Sequence, residues 1–260
     1  MPAARPRRDS GVVLLNVLVI LALCAGLLVA MLRLSDSGIA RSGLFADASQ
    51  ALSVALAGEA SAVAALRRDL AEAPLADHAR EGWARIAQEP TPIPGGSFAL
   101  QISDGQARLN LTGLTGLVAV QHLQALAAAL DLRPEVAQRL ALRLAQPQPA
   151  DGLAGLAGLA GLARDAGITA AEMNRLAPYV TLLPEPSPVN LNACPDLLLA
   201  VLFGNAATAA ALAERRARQG YVTEDDLASV SAVLPPGAGF TSRFFHVDTI
   251  VRIGTVQQQM

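Results

Sequence analysis

His78, His122 and His246 are the chain's three histidines, and they lie far apart along 260 residues. No His-x-x-x-His or Cys-x-x-Cys spacing joins them to one another or to Cys24 and Cys194, so the usual zinc arrangements have no foothold. All 20 basic residues are arginine. Without lysine there is no Walker A phosphate loop, no Schiff-base amine and no Ser-x-x-Lys nucleophile. Gly-x-Ser-x-Gly and Gly-x-Gly-x-x-Gly are absent as well. The acids Glu224, Asp225 and Asp226 cluster, but that position reads as a first helical turn, where the dipole favours negative charge. No catalytic residue and no metal ligand is assigned. Two cysteines are too few for a disulfide framework, and a net charge of -2 provides no basic field for nucleic acid.

Chemistry being thin, the elements carry the reading. Hydrophobic residues make up 52% of the chain and aromatics only 3%, so its apolar content is mainly Ala, Leu and Val, which favours helices. From Gly11 to Leu32 there is no charge. As a helix this stretch spans about 33 Å, close to the thickness of a bilayer's hydrocarbon. A buried core helix and a secretory signal peptide are rival readings. The run exceeds a signal peptide's usual apolar core, and the helical pattern continues beyond it. Arg5, Arg7 and Arg8 precede it, which places the N-terminus in the cytoplasm and the bulk outside. Cys24 then lies in the membrane and Cys194 in the exported part, where the two cannot pair. No proline interrupts residues 33–73, and Pro74 supplies a stop. Leu44, Phe45, Leu52, Leu56, Val63 and Leu70 recur at helical spacing, while Gly38, Gly43 and Gly58 are points where the helix could bend.

Further on, a short helix is expected around Trp83 to Gln88, followed by a Pro/Gly loop from Pro90 to Gly96. Residues 97–103 and 107–111 alternate apolar and polar around Asp104-Gly105, which predicts a two-stranded hairpin. Helices are expected over 114–144 with a boundary at Pro134, and over 169–177, 196–203 and 208–219, with a last one from Thr223. Thr169 and Glu172 have capping-box spacing. A Gly-Leu-Ala run at 152–162 is a poor free-standing helix. Leu140-Ala141, Leu176-Ala177 and Leu212-Ala213 recur every 36 residues, the mark of stacked helical hairpins unless it is chance in a Leu/Ala-rich chain. Arg243 to Ile253 reads as a closing strand and residues 254–260 as a polar tail.

Four segments resemble one family in order. A basic leader ends in Gly11 before the apolar run. Ile93-Pro94-Gly95-Gly96, Ile102-Ser103-Asp104-Gly105 and Arg108-Leu109-Asn110-Leu111 resemble its Gly-rich loop and hairpin. Arg175-Leu176-Ala177-Pro178-Tyr179-Val180 resembles a signature before the proline-rich break, and Val189-Asn190-Leu191-Asn192-Ala193-Cys194-Pro195 resembles its Val-Asn-Val-Asn-Thr-Ala-Pro segment. The family is the minor pseudopilin K (GspK) of the type II secretion system. The resemblance implies a type IV pilin-like subunit. Prepilin peptidase would cut after Gly11 and methylate Val12. The protein would sit in the inner membrane as a single pass, with its C-terminal part periplasmic. At the pseudopilus tip it would join minor pseudopilins of the I and J types. Asn16, the fifth mature position, stands where most pilins carry Glu; an unpaired carboxylate there is costly, and a tip subunit has no amine ahead of it to pair with. Members often bind calcium in an Asp-rich loop of the helical domain. Residues 144–162 offer only Asp151, so no cofactor is expected.

A rival reading is a membrane-tethered helix-hairpin-helix protein that binds nucleic acid. Residues 189–230 resemble such domains, but the turn Phe203-Gly204-Asn205-Ala206 has one glycine. Three arginines (Arg215, Arg216, Arg218) also face five acids there, a net charge of -2. The expected architecture is α+β: a leader at 1–11, a long helix at 12–74 spanning the membrane over 12–32, a pilin-like part at 75–112 and 239–256, an inserted helical domain at 113–238 and a tail at 257–260. The expected role is structural, not enzymatic.

Overall fold

A 63-residue helix, α1 (Ser10–Glu72), begins the described chain. At 1.5 Å per residue it is about 95 Å long. The structure is a computed structural model that describes residues 10–86, 89–112, 114, 116–146 and 155–260; residues 1–9 of the expected leader, Gln88 and Asp151 lie outside them. The helix runs unbroken through Gly38, Gly43 and Gly58. Its last bond runs from the Ala73 amide to the Asp69 carbonyl, just before Pro74 removes a donor. From Val13 to Leu34 the apolar side chains are exposed, and this stretch is apolar enough to cross a membrane.

The second half of α1 lies on a four-stranded antiparallel sheet. Its strands are β1 (Thr91–Ile93), β2 (Gly96–Asp104), β7 (Phe245–Ile253) and β8 (Val256–Gln259), in the order β1-β2-β7-β8. Small residues make the close approach possible: Ala51, Ala55 and Ala62 are fully buried against the sheet. At Gly58 an added Cβ would stand 2.8 Å from the Phe98 ring, so any larger residue there must displace the ring. Trp83, in a short 3-10 helix (Trp83–Arg85), closes one end of this layer edge-on to Phe245.

β2 and β7 pair over nine residues, from Gly96↔Ile253 to Asp104↔Phe245. The chain between them forms a helical lobe: α2 (Gly116–Ala129), α3 (Pro134–Leu144), α4 (Gly155–Asp165), α5 (Ala170–Leu176), α6 (Asp196–Phe203), α7 (Ala206–Gln219) and α8 (Glu224–Ser229). Consecutive helices pack as the pairs α2–α3, α4–α5 and α6–α7. Leu140, Leu176 and Leu212 are buried in one core, each on the second helix of its pair, so the 36-residue recurrence coincides with three helical hairpins. Two short parallel ladders lace the lobe: β3 (Leu109–Asn110) with β4 (Val180–Thr181), and β5 (Val189–Asn190) with β6 (Ala238–Gly239). The Thr169–Glu172 capping box forms as its spacing predicts.

Two local expectations are corrected. Residues 97–111 are not a hairpin. Asp104 caps a 3-10 turn (Gly105–Ala107) by accepting from the Gln106 amide, and β2 takes its partner from the far end of the chain, Phe245–Ile253. The polar tail is not a free end. Gly254, at φ +53°, and Thr255 make a two-residue turn, and β8 pairs with β7 from Ile253↔Val256.

Candidate functional site

The residues expected to serve processing and assembly lie in the first turns of α1. Gly11 and Val12 are helical in backbone, and Asn16 is exposed among exposed Leu14, Leu15 and Leu18. Nothing in the described part of the chain covers this stretch; its apolar surface is presented outward. Such a surface needs lipid or other helices around it.

At the other end of α1 the motif residues converge on one buried polar junction. Asn190 is fully buried. Its side-chain amide donates to the Asp104 carboxylate at 2.7 Å, the Ser242 hydroxyl at 3.0 Å and the Asp77 carbonyl at 2.9 Å. Its Oδ1 accepts from the Asn192 amide, and Asn192 Oδ1 accepts from the Val222 amide at 2.7 Å. Asn110 does similar work nearby: its Nδ2 donates to the Glu185 carbonyl, and its Oδ1 accepts from the amides of Thr112 and Leu183. The signature asparagines therefore bind the chain's own backbone. Burial pushes the Asp104 carboxyl up, against the hydrogen bonds from Ser242 and Asn190 that pull it down.

Beside this junction Asp69, Asp77 and Glu81 bring carboxylate oxygens within 4.8 Å of one another. The segment joining them is pinned to both layers. The Asp77 amide donates to the Phe240 carbonyl, the Ser242 amide donates to the Asp77 carboxylate at 2.6 Å, and the His78 ring stacks on Tyr221 with centroids 4.7 Å apart. Burial, then the charge and hydrogen bonding of Glu81, lift the Asp69 carboxyl to about 6. Burial likewise raises Asp77. Sequence reasoning passed over this trio because Asp69 ends a helix while Asp77 and Glu81 lie in the following loop; the dense acids around Pro74 were the available signal.

The other candidate groups are dispersed. His122 sits half-buried in α2 and His246 in β7, burial lowering both. Cys194 is buried, and burial lifts its thiol to about 11. Glu224 and Asp225 begin α8, and Asp226 closes a capping box with Thr223. The three arginines of the helix-hairpin-helix reading are engaged internally. Arg216 reaches the Leu191 and Cys194 carbonyls and Asp196; Arg215 pairs with Asp226; Arg218 pairs with Glu214. Gly204 caps α6 in the left-handed region rather than exposing amides to a phosphate.

A scan against protein-family models finds no match. The chain is 30% identical to "Type II secretion system protein K" of Pseudomonas aeruginosa, over an alignment covering 97% of this chain and 87% of that protein. Its fold is similar to a chain in the crystal structure of the GspK-GspI-GspJ complex of the enterotoxigenic Escherichia coli type 2 secretion system. The TM-score is 0.63 at 21% identity, covering 84% of this chain and 91% of that one. With a relative at this identity across almost its whole length, the chain belongs to the type II secretion system protein K family.

Proposed function

We propose that this protein is the minor pseudopilin that caps the pseudopilus of a type II secretion system, helping to start its assembly and the export of folded proteins. One observation carries the reading: an uninterrupted apolar rod, exposed over its first half, is fused to a sheet that bears a separately cored helical lobe. A rod of that kind packs with other rods, and the lobe is a bulk that the rod itself does not need. The name of the matched complex supports minor pseudopilins of the I and J types as partners. Prepilin peptidase cuts after Gly11 and methylates Val12. The inner membrane holds residues 12–32, and the arginines at 5, 7 and 8 keep the leader cytoplasmic, leaving sheet and lobe in the periplasm. Asn16 brings no carboxylate that would need an amine ahead of it, which suits the leading subunit. The role is structural and involves no turnover.

The test is mass spectrometry of the N-terminus of protein purified from membranes, with co-purification of the I- and J-type subunits. The expected species starts at methylated Val12 and brings both partners. A soluble protein that starts at Met1 and comes alone overturns the reading.

A further inference from the structure

We propose that Asp69, Asp77 and Glu81 form a binding site for a hard divalent cation, of the calcium class, at the point where α1 ends against the sheet and the lobe. Glu81 is 8% exposed. One of its oxygens, Oε2, is fixed by the Trp83 indole N–H at 2.7 Å and the His78 amide at 2.9 Å. The other, Oε1, is buried and receives no hydrogen bond. His78 Nε2 stands 3.6 Å from it, beyond hydrogen-bonding reach. Asp69 is the other group beside it, and two carboxylates have no donor between them unless one is protonated. A buried, unpaired acceptor aimed at two further carboxylates calls for positive charge.

From the protein, His78 is the cationic group beside them, and only when its ring is protonated. Among the described residues no ion pair joins an arginine to these three acids, although Arg67 and Arg243 line a cavity together with Asp77. Asp69 also lies in the last turn of α1, where the helix dipole disfavours an anion and favours a cation. Oxygens within 4.8 Å of one another can share one ion at calcium's bond length of about 2.4 Å. A ligand set of carboxylates alone suits calcium or magnesium before zinc. A cavity of about 300 Å³ lined by Glu72, His78, Glu81, Tyr221 and Thr223 opens onto the site, with room for the waters that complete a shell. The site is separate from residues 144–162, where the family resemblance would put calcium. A cation here would bind the end of the rod to the loop that holds the lobe, making the angle between them depend on the ion.

Trp83 is the chain's single tryptophan and touches the site, so it reports on it. Full-length protein in detergent is titrated with calcium, magnesium and terbium after chelation. The expected result is a saturable change in Trp83 emission and terbium luminescence sensitised through Trp83 and displaced by calcium. The thermal midpoint should also rise by several degrees. Asp69→Asn is expected to be at least as stable as wild type in chelator, because a repulsion is gone, and to need at least tenfold more calcium. Glu81→Gln, which keeps an acceptor for Trp83, should show the same loss. Absence of any response in wild type overturns the proposal. So does an unchanged response in both variants, which would place the ion elsewhere.

Discussion

The side-chain amide of Asn190 donates to the carboxylate of Asp104 at 2.7 Å, linking positions 86 residues apart. One end of the bond closes β2 and the other opens the segment before α6, so sheet and lobe meet on it. Asn190→Ala takes one of three donors from buried Asp104, which keeps the Ser242 hydroxyl and the Gln106 amide, and removes the partners of the Asp77 carbonyl and the Asn192 amide. The expected cost is about 2–4 kcal/mol of unfolding free energy. Denaturant unfolding of the purified protein measures it, and a loss under 0.5 kcal/mol (roughly the scale of a surface change) would refute the hub role.

Gly58 faces the Phe98 ring so closely that an added Cβ would stand 2.8 Å from it. Gly58→Val is expected to lower stability by about 1–3 kcal/mol through overpacking. Adding Phe98→Ala should restore part of that loss, because it removes the ring the new side chain meets. A double mutant cycle by thermal denaturation reads the coupling, and strict additivity would count against the contact.

Hydrogen bonds from Arg133 first, then Thr169, hold the Glu172 carboxyl at about 2, below its ordinary 4.5. A depressed acid stabilises the fold above its unfolded value, and that contribution is lost as pH falls through the folded one. Glu172→Gln should therefore melt lower than wild type at neutral pH, and the gap should close as pH drops from about 4.5 to 2. Melting curves across that window test the sign. A gap that widens on acidification would contradict it.

Gly11→Asp places a branched acid at the proposed cleavage position. The expected outcome is accumulation of uncut precursor, visible as a slower band on an immunoblot of membranes. A mature-sized band at wild-type abundance would rule out processing after Gly11.

Much of the fold was legible because it depends on local pattern. The charge-free run from Gly11 and the proline-free stretch to Pro74 delimit α1, which ends at Glu72. Asp196 to Phe203 is helical as its sequence reads, and the Thr169 cap is set by residues three apart. What escaped was long-range. Asp104-Gly105 has the chemistry of a hairpin turn, yet Asp104 spends its carboxylate on Gln106, Asn190 and Ser242, and the strand pairs with residues whose proximity no local window records. The β8 strand was hidden by its glutamines, although Gly254-Thr255 carries a short turn signal. The asparagines of residues 189–195 stood out in the sequence, but their inward, backbone-binding role follows from tertiary placement. The Asp69–Asp77–Glu81 trio depends on the chain folding back after Pro74, which spacing alone does not reveal.

The lobe leaves the sheet at Asp104 and re-enters it at Phe245, and these two residues are register partners. Both attachments thus share one rung at the end of the two inner strands, while α1 lies along β7 and β8. The rod meets the lobe at a second place too, the loop after α1, where His78 stacks on Tyr221 and Arg80 donates to the Ala217 carbonyl. Held at these two places, the lobe would turn and advance with the rod as one piece.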